Sequence, residues 1–153
     1  IDDVQIGGVN LWAITKLQYG YLDKGVAATS GTCWHTDYIL VNGAKYLTVT
    51  QFNPTSSPTG NNDSPEYYDA NKNYLGTFTP ILYTNVDCPN FTTTYNIPAT
   101  AIYIRISMPW APNSTNAGAS TGKFKWEFGN KATAWSPAPE DDKAYVDAHI
   151  ADT

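Results

Sequence analysis

Trp34, Tyr67, Tyr103, Arg105, Trp110 and Asn113 are the side chains of this sequence best suited to holding a ligand. A Trp or Tyr ring can cover the apolar C–H face of a sugar, at roughly 25 cal/mol per Å² of apolar area buried. Arg and Asn can pair with the hydroxyl rim. Tyr74, Tyr83 and Asp87 stand near strand ends or polar segments and belong to the same wider set. Core packing competes for every ring. Trp126 falls on the apolar side of an alternating run and reads as core. Trp12 and Trp135, near the two ends, read as packing at the domain's base. For Trp110, between Pro109 and Pro112, binding and packing are both open.

Bond-breaking chemistry has weaker support. A pair of carboxylates could hydrolyse a glycosidic bond, and Glu66, Asp69, Asp87 and Glu127 are the candidates. None lies in a hydrolase signature, and each reads as a solvated surface carboxylate. Neither a Gly-x-Ser-x-Gly elbow nor a His-Glu-x-x-His pair occurs. Cys33-Trp34-His35 offers a thiol and an imidazole, which would share one face of a strand because adjacent residues point opposite ways. Cys33 and Cys88 are too few for a disulfide scaffold, and with His35 and His149 they complete no zinc set. They read as two buried thiols, with a single disulfide as the minority alternative. Asn-x-Ser/Thr triplets at Asn62, Asn90 and Asn113 fit polar loops.

Strands must position these residues. In Lys123–Gly129, Phe124, Trp126 and Phe128 alternate with Lys123, Lys125 and Glu127. In Ala101–Ser107 the isoleucines face one way, and Tyr103, Arg105 and Ser107 the other. Tyr46–Phe52 is rich in β-formers, but both of its sides carry apolar groups. Weaker strands are expected at Asp37–Val41, Glu66–Asp69, Phe78–Tyr83 and Phe91–Tyr95. Asn42-Gly43 and Asp69–Asn73 read as turns. Two long polar segments, Asn53–Pro65 and Pro109–Gly122, have the length of functional or mobile loops. A helix is expected from Pro139 onward, where Glu140–Asp142 suit a helix start and Tyr145, Val146, His149 and Ile150 fall at helical spacing. The reading is one β-domain over residues 1–138, followed by a helical linker over 139–153.

Composition narrows the partners. A net charge of −5, with eight Lys and one Arg scattered along 153 residues, argues against nucleic acid. No run approaches the ~18 apolar residues of a membrane span, so no membrane insertion is expected. The first residues lack the basic and apolar regions of a signal peptide, and the chain reads as a fragment or processed piece.

The last thirty residues carry a resemblance. Lys123–Asp141 reads Lys-Phe-Lys-Trp-Glu-Phe-Gly-Asn-Lys-Ala-Thr-Ala-Trp-Ser-Pro-Ala-Pro-Glu-Asp. It strongly resembles the closing segment of carbohydrate-binding modules in tail proteins of phages of Gram-positive bacteria, with Ala134 where an Asp is common. Val4–Leu11 looks like the opening segment of the same modules, which usually reads Gly-Gly-Arg-Asn-Leu; here Val9 replaces the Arg. The interior, through Asp37–Val41, Tyr67–Lys72 and Ile97–Ser107, is similar to galactose-binding-like jelly rolls.

The resemblance implies an all-β, antiparallel, jelly-roll-like β-sandwich. It implies a receptor-binding, distal tail or tail-associated protein in the virion, at the tail tip or baseplate. Bacterial cell-wall or surface saccharide and other phage tail proteins are the implied partners, and a homo-oligomer in the parent protein is compatible. No cofactor is expected. Calcium is common as a structural ion in related sandwiches, but no acidic cluster fixes a site. Sugar-contact residues vary among such modules, so none is carried over. The function expected is non-catalytic adhesion to saccharide. The alternatives are a structural spacer or assembly module without a ligand and, less favoured, a wall polysaccharide hydrolase.

Overall fold

A computed structural model describes residues 8–28, 33–52, 65–79, 91–109 and 123–142. Among them are twelve strands and no α-helix. The strands are β1 (Gln18–Tyr19), β2 (Leu22–Asp23), β3 (Val26–Ala27), β4 (Cys33–His35), β5 (Ile39–Leu40), β6 (Tyr46–Phe52), β7 (Glu66–Tyr68), β8 (Tyr74–Thr77), β9 (Phe91–Asn96), β10 (Tyr103–Arg105), β11 (Ser107–Pro109) and β12 (Lys123–Phe128). Every pairing is antiparallel.

The strands run in the orders β12-β6-β9, β5-β10-β7-β8 and β1-β4-β11, and β2-β3 is a separate hairpin. Since β10 and β11 are separated by Ile106 alone, the second and third sheets form one bent strip. The bend has a local cause. His35 stands opposite Ser107 and Ile39 opposite Ile104, so Thr36–Tyr38 face only Arg105 and Ile106. The extra residue makes a bulge, held by Thr36 N–H to Ile106 O at 2.9 Å and Ile106 N–H to Thr36 Oγ1 at 3.0 Å.

The core lies between this strip and β12-β6-β9. Ile104, Ile106 and Met108 supply one side, and Leu47, Val49, Tyr95, Phe124 and Trp126 the other. This settles the side of β6 that faces inward: Leu47 and Val49 are core, whereas Thr48 meets Thr94 on the far face at 2.9 Å. Trp126 stacks on Tyr95 and donates its Nε1–H to Met108 Sδ at 3.2 Å. Burial alone raises the Tyr95 phenol well above its usual pKa.

The opening and closing segments meet on β12. Asn10, itself buried, donates from Nδ2 to Phe124 O and Ser136 O, both at 3.0 Å. Its Oδ1 accepts Trp12 N–H at 3.0 Å and Trp126 N–H at 3.2 Å. Leu11 N–H adds a bond to Trp126 O at 2.7 Å. One asparagine thus satisfies the edge of β12 that β6 leaves unpaired. On the outer face of β12, Lys125 Nζ reaches Thr133 Oγ1 and Ala134 O at 2.7 Å, while Glu127 accepts the Thr133 hydroxyl at 2.7 Å. Lys125 and Glu127 do face away from the core, but the closing segment buries them.

The start of the expected C-terminal helix is instead a turn over residues 139–141. Its acid has another use: the Asp141 carboxylate accepts Ile14 N–H at 2.7 Å and Thr15 N–H at 2.9 Å. It thereby caps the short 3-10 turn Ile14–Lys16. Tyr145, Val146, His149 and Ile150 lie outside the described residues, as do almost all of the two long polar segments. The Asn42-Gly43 and Asp69–Asn73 turns are present. The short strands β1 to β3 carry no period by which sequence reveals them.

Two substitutions test this account. Asn10→Ala leaves several buried polar groups without partners, at about 1–3 kcal/mol each. Taking its four bonds at the lower figure, about 4 kcal/mol in all, a thermal midpoint lowered by roughly 8–16 °C is expected, at roughly 2–4 °C per kcal/mol for a chain of this size. Gly76 lies against the Tyr67 ring, and a Cβ there would stand 2.5 Å from Tyr67 Cζ. Gly76→Ala should cost about 1–3 kcal/mol by overpacking, read from chemical denaturation.

Candidate functional site

The outer face of β5-β10-β7-β8 carries a row of rings in register. Leu40 is opposite Tyr103, Tyr103 opposite Tyr68, and Tyr68 opposite Tyr74. Alternation sends Ile104 to the core, so its neighbours Tyr103 and Arg105 take this face.

Arg105 lies beneath the rings. It is 7% exposed, with its guanidinium 4.5 Å from the centre of Tyr38 and 4.9 Å from that of Tyr68. Its Nε–H donates to Tyr68 Oη at 2.9 Å, and its Nη2–H to Gly25 O at 2.9 Å. The Tyr68 hydroxyl donates onward to Glu66 Oε1 at 2.7 Å, which also accepts Gly25 N–H at 2.9 Å. Burial, followed by the Glu66 bond, holds the Tyr68 phenol well above its usual pKa, so it remains a donor. The network pins the Lys24-Gly25 turn of the β2–β3 hairpin onto the Tyr68–Tyr74 half of the face. Gly25 is required there: its φ is +91°, and a Cβ would lie 2.9 Å from Tyr74 Cβ.

The other half of the face is open. Tyr38 and Tyr103, both half-buried, meet edge to face with centroids 6.1 Å apart. The exposed Lys72 ammonium stands 4.9 Å from the Tyr38 centre and 5.5 Å from that of Tyr103. Lys72 holds a left-handed backbone, φ +64°, at the end of a turn built on Asp69. The Asp69 carboxylate accepts the N–H groups of Asn71 and Asn73 at 2.8 and 2.9 Å and the Asn73 amide at 3.1 Å. These bonds, the Asn73 N–H foremost, lower the Asp69 pKa below its ordinary value. Two half-buried rings, one ammonium and the exposed Leu40 form a shallow platform that can hold a partly apolar ligand.

The six residues singled out in the sequence fall in different places. Tyr103 is on the platform, and Arg105 supports it from below. Trp34 and Tyr67 pack against the core side, beside Tyr19 at 5.4 Å and Phe78 at 5.3 Å. Trp110 and Asn113 lie outside the described residues. Tyr38, Lys72 and the Gly25 turn are the additions. A Tyr inside an expected strand and a Lys inside an expected turn were their faint signals.

Two of the four carboxylates are not the solvated groups expected. Glu66 and Glu127 are buried and hydrogen-bonded. They face outward from opposite layers with the core between, so these two cannot flank one glycosidic bond. Asp69 spends its oxygens on its own turn, and Asp87 lies outside the described residues. His35 is buried, with Nδ1 2.8 Å from Gly20 O. Cys33 is buried, and Cys88 lies outside the described residues. Among the described residues no three His, Cys, Asp or Glu side chains gather where they could hold a metal ion.

Over 147 residues the chain is 31% identical to the tail fiber protein of Enterococcus phage phiEF24C. This chain is similar to one segment of a phage tail fibre. The match takes in 94% of this chain and 7% of that protein's length. No family model matches the chain, and no solved structure matches it.

Lys72 depends on Asp69, which gives a pH prediction. The folded pKa of Asp69 lies below the unfolded value of about 3.9. Its turn is therefore fully stabilised above that value and loses support as pH falls through the lowered one. The Asn71 and Asn73 amide resonances should titrate together in strong acid, and Asp69→Asn should abolish that step. Amides that stay unmoved through the Asp69 titration would contradict the account.

Proposed function

We propose that this chain is a non-catalytic adhesion module of a phage tail fibre, binding saccharide on the bacterial surface through the Tyr38–Tyr103 platform. The platform is the observation that carries the reading: two half-open tyrosine rings and an exposed ammonium on a rigid sheet. A sugar ring stacks its C–H face on Tyr103, and Lys72 donates to a hydroxyl or an acidic substituent. Arg105 contributes as a positioning residue. The fold we assign is a jelly-roll-like, galactose-binding-like sandwich, on the strength of its antiparallel layers and the resemblance of its opening and closing segments. The similarity to a tail fibre supports a location in the virion's tail, at its tip or baseplate, beside other tail proteins. A shallow platform binds weakly alone, and repeated copies on a virion raise avidity by roughly 10²–10⁴.

A spacer without ligand is the second reading. It is favoured by a cleft of about 310 Å³ that includes Trp12, Phe124, Trp135 and Pro137. Trp135 is 36% exposed there, under the Lys123 ammonium at 4.1 Å.

Isothermal titration with purified enterococcal wall saccharide separates the two. The adhesion reading expects binding that falls roughly tenfold or more in Tyr103→Ala, about 1.4 kcal/mol, and to a lesser degree in Lys72→Ala, with unchanged thermal midpoints. Binding that is untouched in both variants moves the site elsewhere. No binding by the unmodified chain favours the spacer.

A further inference from the structure

We infer that the ligand is an extended saccharide chain, running from the Tyr38–Tyr103 platform over Leu40 and Ile102 into a cleft at the end of the same strands. This rests on the adhesion reading and specifies its ligand. Leu40 and Ile102 are 54% and 39% exposed, large apolar groups left uncovered at one end of the sheet. They are neighbours: Leu40 is opposite Tyr103, and Val41 N–H bonds to Ile102 O at 2.9 Å. Leu40 lies on the platform's face and Ile102 at the bend beside it, and we assign the two uncovered side chains as an apolar ridge between platform and strand ends.

The ridge leads to a cleft of about 510 Å³ between the Asn42-Gly43 turn and the Ile97–Ala101 turn. Val41, Ile97 and Ala101 line its floor, and Lys45, Tyr46 and Asn96 its rim. Its volume is within the roughly 300–1,000 Å³ of small-molecule sites. Tyr103 and Ala101 are two residues apart, roughly 7 Å along a strand, so one ring stacked on Tyr103 does not also fill the cleft. The alternation of ring, ridge and polar-rimmed cleft suits a glycan, whose C–H faces and hydroxyl edges alternate along its length. A peptide strand or an apolar protein surface would find no such alternation useful.

The test uses enterococcal wall polysaccharide, partly hydrolysed and separated by size. Affinity of the unmodified chain should rise at least tenfold from one- or two-unit fragments to longer ones and then level off. Longer polymers also gain from rebinding, so variants at the far end decide the matter. Ile102→Ser and Asn96→Ala, both at exposed positions, should flatten the rise while leaving short-fragment binding intact. Tyr103→Ala should weaken every fraction. Equal affinity for all sizes, or a rise that survives in both far-end variants, overturns the extended ligand and leaves the adhesion reading standing. Failure of every fraction to bind the unmodified chain sinks the adhesion reading itself.

Discussion

Asn10 spends every hydrogen-bonding position of its side chain on holding the domain shut. Two donors and two accepted bonds tie the opening segment, the outer edge of β12 and the closing segment at Ser136 into one node. A buried amide is acceptable only when satisfied in this way. Closing the edge of β12 fixes Trp126 and Phe124, and these form one wall of the core. The strip of strands that bears the ring platform packs on that wall. The rigidity that lets two tyrosines stand half-open therefore traces back to an amide on the far side of the molecule.

The node also gives a physical meaning to the motifs that make the chain resemble phage tail modules. Asn10 and Leu11 bond the opening segment to β12. In the closing segment, Lys125 and Glu127 clamp Thr133, and Ser136 supplies a carbonyl to Asn10. These positions seal the domain where its two ends meet, whereas the platform is built from residues outside both motifs. A resemblance carried by the seal speaks to setting and leaves the ligand to local chemistry.

The period of two revealed β12 and the β10 region, because one face of each is buried by neighbours that reject polar groups, whereas β6 was legible only from its β-forming residues. It assigned Tyr103 and Arg105 to a common outer face, as observed. It could not reveal what covers that face. The lid over Arg105 is a two-residue turn 80 positions earlier in the chain, within strands too short to show a period. The same blindness made Glu66 and Glu127 look solvated, when a ring network hides one and a returning segment the other. Trp34 and Tyr67 looked like ligand-facing rings, but their strands turn them inward. The acids after Pro139 looked like a helix start because a carboxylate suits any cluster of unpaired N–H groups. Here that cluster belongs to Ile14 and Thr15.

The bulge at Thr36–Tyr38 reaches further than its size suggests. His35 and Leu40 both lie on the outer side of the strip although an odd number of positions separates them, and the added residue reconciles the two. Removing one position from Thr36–Tyr38 would leave two residues opposite Arg105 and Ile106, so the ladder would run on without the bulge, with Leu40 still opposite Tyr103 and the bend lost. The angle at which this strip bends is thus set by the count of residues as much as by their identity. A single codon lost there would re-aim the ring-bearing sheet while leaving every ring on its own side.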